Sequence, residues 1–305
     1  MTVVASPAAE RPDGAERTGD RSPANDRKPK GVGGSGPGAS LGRRIGRHAG
    51  RSVAPSLVTT YLSLLVLIPI AAVASQAFNG GWSAFTAVIT QRLSEQALEL
   101  TFISALVVVV VNTVAGTMIA WVLVRDEFPG KALLSAIIDL PFALPTVVAG
   151  LTLLSLYGPD SPFHVNISGT RIGIWVALAF VTLPFSVRSV QPVLAELDRD
   201  AEEAAASLGA SSFTVLRRVI LPSLGPAMLS GAALGFARAL GEYGSLVLIA
   251  GDLQVASIRI FDLYETGNNY QPAAAVSLVL LVMSLAVLLI LGGVRRHLLR
   301  DEVSP

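Results

Sequence analysis

The sequence predicts an all-α integral membrane protein with six spanning helices behind a polar N-terminal tail. Three observations carry that prediction. Of 305 residues, 51% are hydrophobic and only 15% charged, and the mean hydropathy of +0.59 is high for a soluble domain. The apolar residues gather into six windows, each near the ~20 residues that a bilayer crossing requires. The positive charges fall mainly on alternate connecting loops.

Residues 1–50 are rich in Gly, Pro, Ser, Ala, Asp and Arg and contain no apolar run long enough for a signal-peptide core, so a disordered cytoplasmic tail is expected there. The transmembrane domain is expected over 51–300, with spans at 55–77, 98–124, 134–157, 172–194, 226–250 and 273–293. Pro141 and Pro145 predict a kinked third span, with Asp139 capping the bend. An even number of crossings returns both termini to one side. Arg43, Arg44, Arg47 and Arg51, then Arg125 and Lys131, then Arg199, Arg217 and Arg218, and finally Arg295, Arg296 and Arg300 share that side, whereas Arg92, Arg171 and Arg259 occupy the other. The positive-inside rule therefore expects both termini, and the 195–225 loop, in the cytoplasm. Trp82, Phe85, Trp121 and Trp175 lie near span ends, as residues of an interfacial belt do.

The 195–225 loop is the most patterned polar stretch. Leu197–Leu208 is rich in Ala, Glu and Leu and predicts a short helix that Gly209 ends. Ser211 or Ser212 can cap a second helix whose Phe213, Leu216 and Ile220 share a face, with Pro222 and Pro226 limiting its extension. A hairpin of short helices with small alanines on one side suits a groove on a partner protein.

Glu203-Ala204-Ala205, Gly209 and, after nine intervening residues, Val219-Ile220-Leu221-Pro222 resemble the "EAA" loop of ABC-importer permeases. Ile138-Asp139-Leu140-Pro141-Phe142-Ala143-Leu144-Pro145-Thr146, Thr182–Arg188 with Gln191-Pro192-Val193-Leu194, and Phe236–Ser245 extend the resemblance over roughly residues 55–295 to the T-type permease of sulfate/thiosulfate importers. The resemblance implies a six-helix ABC-importer permease domain, resident in the inner (plasma) membrane, whose loop residues Glu203, Ala204, Ala205, Gly209, Leu221 and Pro222 grip a separate ATPase. It also implies the partners: a second related permease forming a heterodimer, two ATP-binding subunits and an extracytoplasmic sulfate-binding protein. Molybdate or tungstate permeases share the Gly-Glu-aromatic-Gly block and give the alternative substrate. Departures from the pattern are a short loop after Tyr157, Asp252-Leu253 in place of Gly-Asn, and the long tail.

Charge inside a span costs about 3 kcal/mol on insertion scales, which singles out Asp139, Arg238 and Glu242. Arg238 and Glu242 are four apart and can pair on one helical face; the pair can serve as a structural lock, or Arg238 can face an anion pathway with Glu242 at its gate. Gly241 and Gly244 beside them allow close backbone approach or a broken helix. No cysteine is present, and the three histidines, His48, His164 and His297, are scattered, so neither a metal site nor a cofactor is expected. Gly31–Gly38 lacks the Gly-Lys-Ser/Thr ending of a phosphate-binding loop; ATP hydrolysis falls to a partner and the chain itself is expected to be non-catalytic. The net charge of +1 gives no reason to expect nucleic acid. A gradient-driven transporter using Asp139 or Glu242 as coupling carboxylates is the competing class.

Overall fold

The computed structural model describes residues 55–267 and 269–301. The tail expected over 1–50 and the arginines Arg43, Arg44, Arg47 and Arg51 lie outside the described residues. Every described element is a helix: α1 Pro55–Ala77, α2 Gly81–Ile89, α3 Arg92–Arg125, α4 Lys131–Ala143, α5 Thr146–Tyr157, α6 Arg171–Glu196, α7 Arg199–Ser207, α8 Ser212–Leu240, α9 Leu246–Ile249, α10 Ala256–Thr266 and α11 Gln271–Asp301. Thr60 onward forms one unit; the unit ending at Thr59 contributes, among the described residues, only the start of α1.

Among the described residues, five helices, α1, α3, α6, α8 and α11, are long and apolar enough to cross a bilayer, and α4 with α5 passes the same test as a pair of helices sharply bent at Leu144-Pro145. The core runs along α3, α6 and α8. Ala105, Val108 and Val109 of α3 meet Ile174, Ala177 and Leu178 of α6 and Ala232, Phe236 and Leu240 of α8. Small residues set the closeness of these helices: a Cβ on Gly116 would stand 2.6 Å from the Ser186 Cβ, and one on Gly231 would stand 3.0 Å from the Ser186 Cα. Between lipid-soluble helices, where apolar contact gives no advantage over lipid, such close approach and interhelical hydrogen bonds hold the bundle. Asn112 supplies two of them, donating Nδ2–H to the Ala179 carbonyl and to Thr182 Oγ1, both at 2.9 Å.

Two expectations need correction. The third span is broken rather than kinked: α4 and α5 meet at 117°. Pro145 forces Leu144 into extended backbone, with ψ 137°, because the proline ring clashes with an α-helical predecessor. The fifth span begins at Ser212 and ends at Leu240, earlier at both ends than 226–250, so Pro222 and Pro226 lie within it and do not stop it. Leu216–Ile220 widens into a π turn, with the Leu221 N–H donating to the Leu216 carbonyl, immediately before Pro222. A proline collides with the carbonyl four residues back, and a widened turn relieves that collision. The same device recurs in α1, where the π turn Ser63–Leu67 precedes Pro69.

Candidate functional site: a helical hairpin and a broken-helix turn

The 197–222 stretch folds as predicted in its first half. Asp198 caps α7 by accepting from the Asp200 N–H at 2.9 Å. Gly209 ends it in the left-handed region at φ 86°. The Gly209 N–H donates to the Ala206 carbonyl and the Ala210 N–H reaches back to the Ala205 carbonyl, the paired bonds of a Schellman motif. A Cβ at Gly209 would meet nothing within 4 Å; backbone conformation, not space, selects glycine. Ser211, not Ser212, caps the next helix, accepting from the Thr214 N–H at 3.3 Å.

The predicted common face of Phe213, Leu216 and Ile220 is not formed. The π turn adds residues per turn, so Val215 and Ile220 are buried beside Leu123, Val190 and Leu194 while Phe213 is turned out. Glu203 and Ala204 are exposed, Ala205 packs partly against that cluster, and Leu221 and Pro222 are exposed. Leu208 is 89% exposed at the tip of the hairpin and Phe213 is 69% exposed. Two large apolar side chains standing free on a polar hairpin mark a surface made to be covered.

The second group surrounds Glu242. Arg238 Nη1 lies 2.7 Å from Glu242 Oε2, so the expected pair forms. The contact is an ion pair without hydrogen-bond alignment, since Oε2 has no hydrogen-bond donor. The other oxygen, Oε1, accepts from the Ser245 N–H at 2.8 Å and from Ser245 Oγ at 2.9 Å. Ser257 Oγ donates to the Glu242 carbonyl at 2.6 Å. Glu242, 1% exposed, is thus consumed in holding the turn between α8 and α9, while Arg238 keeps a side-chain exposure of 32%. Gly244 permits close packing as predicted: its Cβ would lie 2.3 Å from Thr146 Oγ1. Gly241 does not, having nothing nearer than 3.9 Å. The reciprocal contact comes from Gly150, whose Cβ would fall 2.7 Å from the Ser245 Cα. Gly150 and Gly244 interlock α5 with the turn, and only their opposed positions in space give them that role.

Asp139 does not cap the bend. It binds Arg188, with Nε to Oδ1 at 2.8 Å and Nη2 to Oδ2 at 2.5 Å. Arg188 also donates Nη2–H to Ser135 Oγ at 2.8 Å and Nη1–H to Gln191 Oε1 at 2.5 Å. The sequence analysis missed Arg188 as a partner, although a lone arginine within an apolar span was signal enough to pair it with Asp139. The fork geometry fastens α4 to α6.

The sharply bent α4–α5 pair, the hairpin and the interrupted α8–α9 segment are shared with the membrane subunits of ABC transporters at the level of fold. A chain of a bacterial alginate ABC transporter, crystallised with pentasaccharide-bound periplasmic protein, superposes with a TM-score of 0.68 at 14% identity, over 84% of this chain and 97% of that one. A chain of the MetNI methionine ABC transporter gives 0.52 at 18% identity, over 67% and 93%. At those identities the likeness establishes fold alone. Residues 113–300 match the family described as binding-protein-dependent transport system inner membrane component, and the chain belongs to that family. It is 46% identical over 250 residues to the sulfate transport system permease protein CysT of Synechocystis sp., covering 78% of this chain and 87% of that one. It is 41% identical over 257 residues to CysT of Escherichia coli, covering 81% and 92%.

Proposed function

We propose that the chain is the transmembrane permease subunit of an ATP-driven sulfate/thiosulfate importer, passing the oxyanion inward by alternating access. The observation that carries the substrate is 46% identity sustained over 87% of a sulfate permease; the family description supplies the dependence on a binding protein. The chain works in the inner membrane with a second related permease, two ATP-binding subunits and an extracytoplasmic binding protein. Its termini and hairpin face the cytoplasm, supported by the Arg and Lys of the 125–131, 199–218 and 295–300 segments.

The hairpin is the coupling element. Glu203, Ala204 and the exposed Leu208 lie on the partner-facing side, with Gly209 setting the turn, and Leu221-Pro222 joins the hairpin directly to the spanning part of α8. A displacement at the ATPase is thereby delivered as tilting of α8. At the far end of α8, Arg238 is the candidate pathway residue: its charge is balanced by Glu242, yet its guanidinium keeps accessible N–H groups for a passing dianion. Glu242, Gly244 and Gly150 hold the shape of that turn, and Asp139 contributes anchoring rather than contact with the anion. Sulfate is strongly hydrated, so discrimination resides mainly in the binding protein.

The test is radiolabelled sulfate uptake in cells lacking their own sulfate permease and supplied with this chain and its cognate subunits. Uptake suppressed by excess thiosulfate and indifferent to molybdate is expected. Molybdate uptake without sulfate uptake would overturn the substrate assignment while leaving the importer class intact.

A further inference from the structure

The hairpin has an internal anchor distinct from its partner-facing side. No residue of α7 is buried, and α7 borders an open groove of about 1130 Å³ whose walls include Met118 and Trp121 of α3, Glu202 and Glu203 of α7, and Phe213 and Leu216 of α8. A helix so lightly packed, beside so wide a groove, has little apolar contact to fix its angle. Among the described residues an ion pair ties it to α3. Arg125, the last residue of α3, forms an ion pair through Nη2 with Glu202 Oε1, and the two side chains are only 12% and 21% exposed. The Arg125 guanidinium also lies over the Trp121 ring, 5.4 Å from its centre, within range of a cation–π contact. Its Nε is buried without an acceptor, so the orientation of the guanidinium is fixed by Glu202 and Trp121. Glu202 and Glu203 are consecutive and therefore about 100° apart around the helix: one carboxylate turns inward to the chain's own arginine, the other outward.

We propose that Arg125 is a positioning residue for energy coupling: by gripping Glu202 from a platform on Trp121 it sets the angle of α7, so that force applied to the hairpin enters the membrane through α3 as well as α8. The inference rests on the hairpin being the coupling element. α3 packs along α6 through Asn112 and Gly116, so this second route enters the bundle core at the α3–α6 seam, whereas Leu221-Pro222 enters it along α8. Without the pair, α7 can swing over the adjoining groove and the ATPase stroke is absorbed there.

The experiment uses the complete transporter in liposomes, with ATP hydrolysed and sulfate accumulated measured in the same sample for wild type, R125Q, E202Q and R125E/E202R. Because the chain has no cysteine, a single Ser207→Cys, at an exposed position of α7, carries a spin label whose mobility reports hairpin freedom. R125Q and E202Q are expected to assemble and hydrolyse ATP, with sulfate moved per ATP reduced about tenfold, the scale of an ordinary coupling energy. The charge swap is expected to recover much of that ratio, and label mobility to rise in both single variants. E202Q, on the surface helix, serves if R125Q fails to assemble. A wild-type ratio in a working single variant overturns the proposal, as does unchanged label mobility. Absence of sulfate transport by the wild type defeats the substrate assignment instead, and the label measurement still decides the role of Arg125.

Discussion

Individual residues here are selected by two different demands, conformation and proximity, and substitutions separate them. Gly209 answers the first. A β-substituted residue in its left-handed conformation costs about 1–2 kcal/mol, so Gly209→Val is expected to disorder the α7 terminus and abolish ATP-driven uptake while the chain still inserts; a gradient-driven carrier would be unaffected, and uptake with and without ATP-binding subunits distinguishes the two. Gly150 and Gly244 answer the second, because the Ser245 backbone, and Thr146 Oγ1 with the Val147 backbone nitrogen, occupy the space a methyl would need. Gly150→Ala is expected to lower stability by about 1–3 kcal/mol, read as a fall in thermal unfolding midpoint in detergent, whereas Gly241→Ala, with open space around it, leaves the midpoint in place. Asn112 bridges α3 and α6 through two hydrogen bonds. With each intramembrane bond worth about 0.6–2 kcal/mol, Asn112→Ala is expected to lower the same midpoint with hydrolysis per assembled complex retained.

At the scale of elements, the broken third span relies on two fasteners. Asp139 and Arg188 tie α4 to α6, and the Gly150–Ser245 contact ties α5 to the turn after α8. Asp139 and Arg188 lie within apolar segments with side-chain exposures of 44% and 30%, and there an unpaired charge is costly. Asp139→Ala strands a guanidinium that donates to both carboxylate oxygens. The expected result is a larger loss of stability for Asp139→Ala than for the Asp139→Ala/Arg188→Ala pair, a non-additivity that marks direct interaction; equal, additive losses in a double-mutant cycle would reject the fastener. α8 makes the same point about prolines. Pro222 looks like a stop signal in one dimension, but the π turn before it lets the helix run on into the apolar span.

For the whole molecule, the proposed function has the turn around Arg238 and the hairpin around Glu203 act together, at opposite ends of α8. Arg238→Ala is expected to lower maximal sulfate uptake about tenfold or more by unbalancing the buried Glu242 and removing the pathway cation; Arg238→Ala/Glu242→Gln restores assembly without restoring uptake if the cation serves the anion, and restores both if the pair is only a lock. The all-helical membrane fold, the hairpin with its Gly209 terminus, the Arg238–Glu242 pair and the family were all legible in the amino-acid order, since each depends on near neighbours along the chain: about 20 apolar residues for a crossing, four residues for a helical pair, one glycine for a left-handed turn. The 117° break, the π turns, the Asp139–Arg188 fork, the Gly150–Gly244 interlock and the Arg125–Glu202 pair were decided only by tertiary structure. Their partners are separated by tens of residues or depend on how a proline clash is relieved, and that choice is made by the packing of other helices rather than by local propensity.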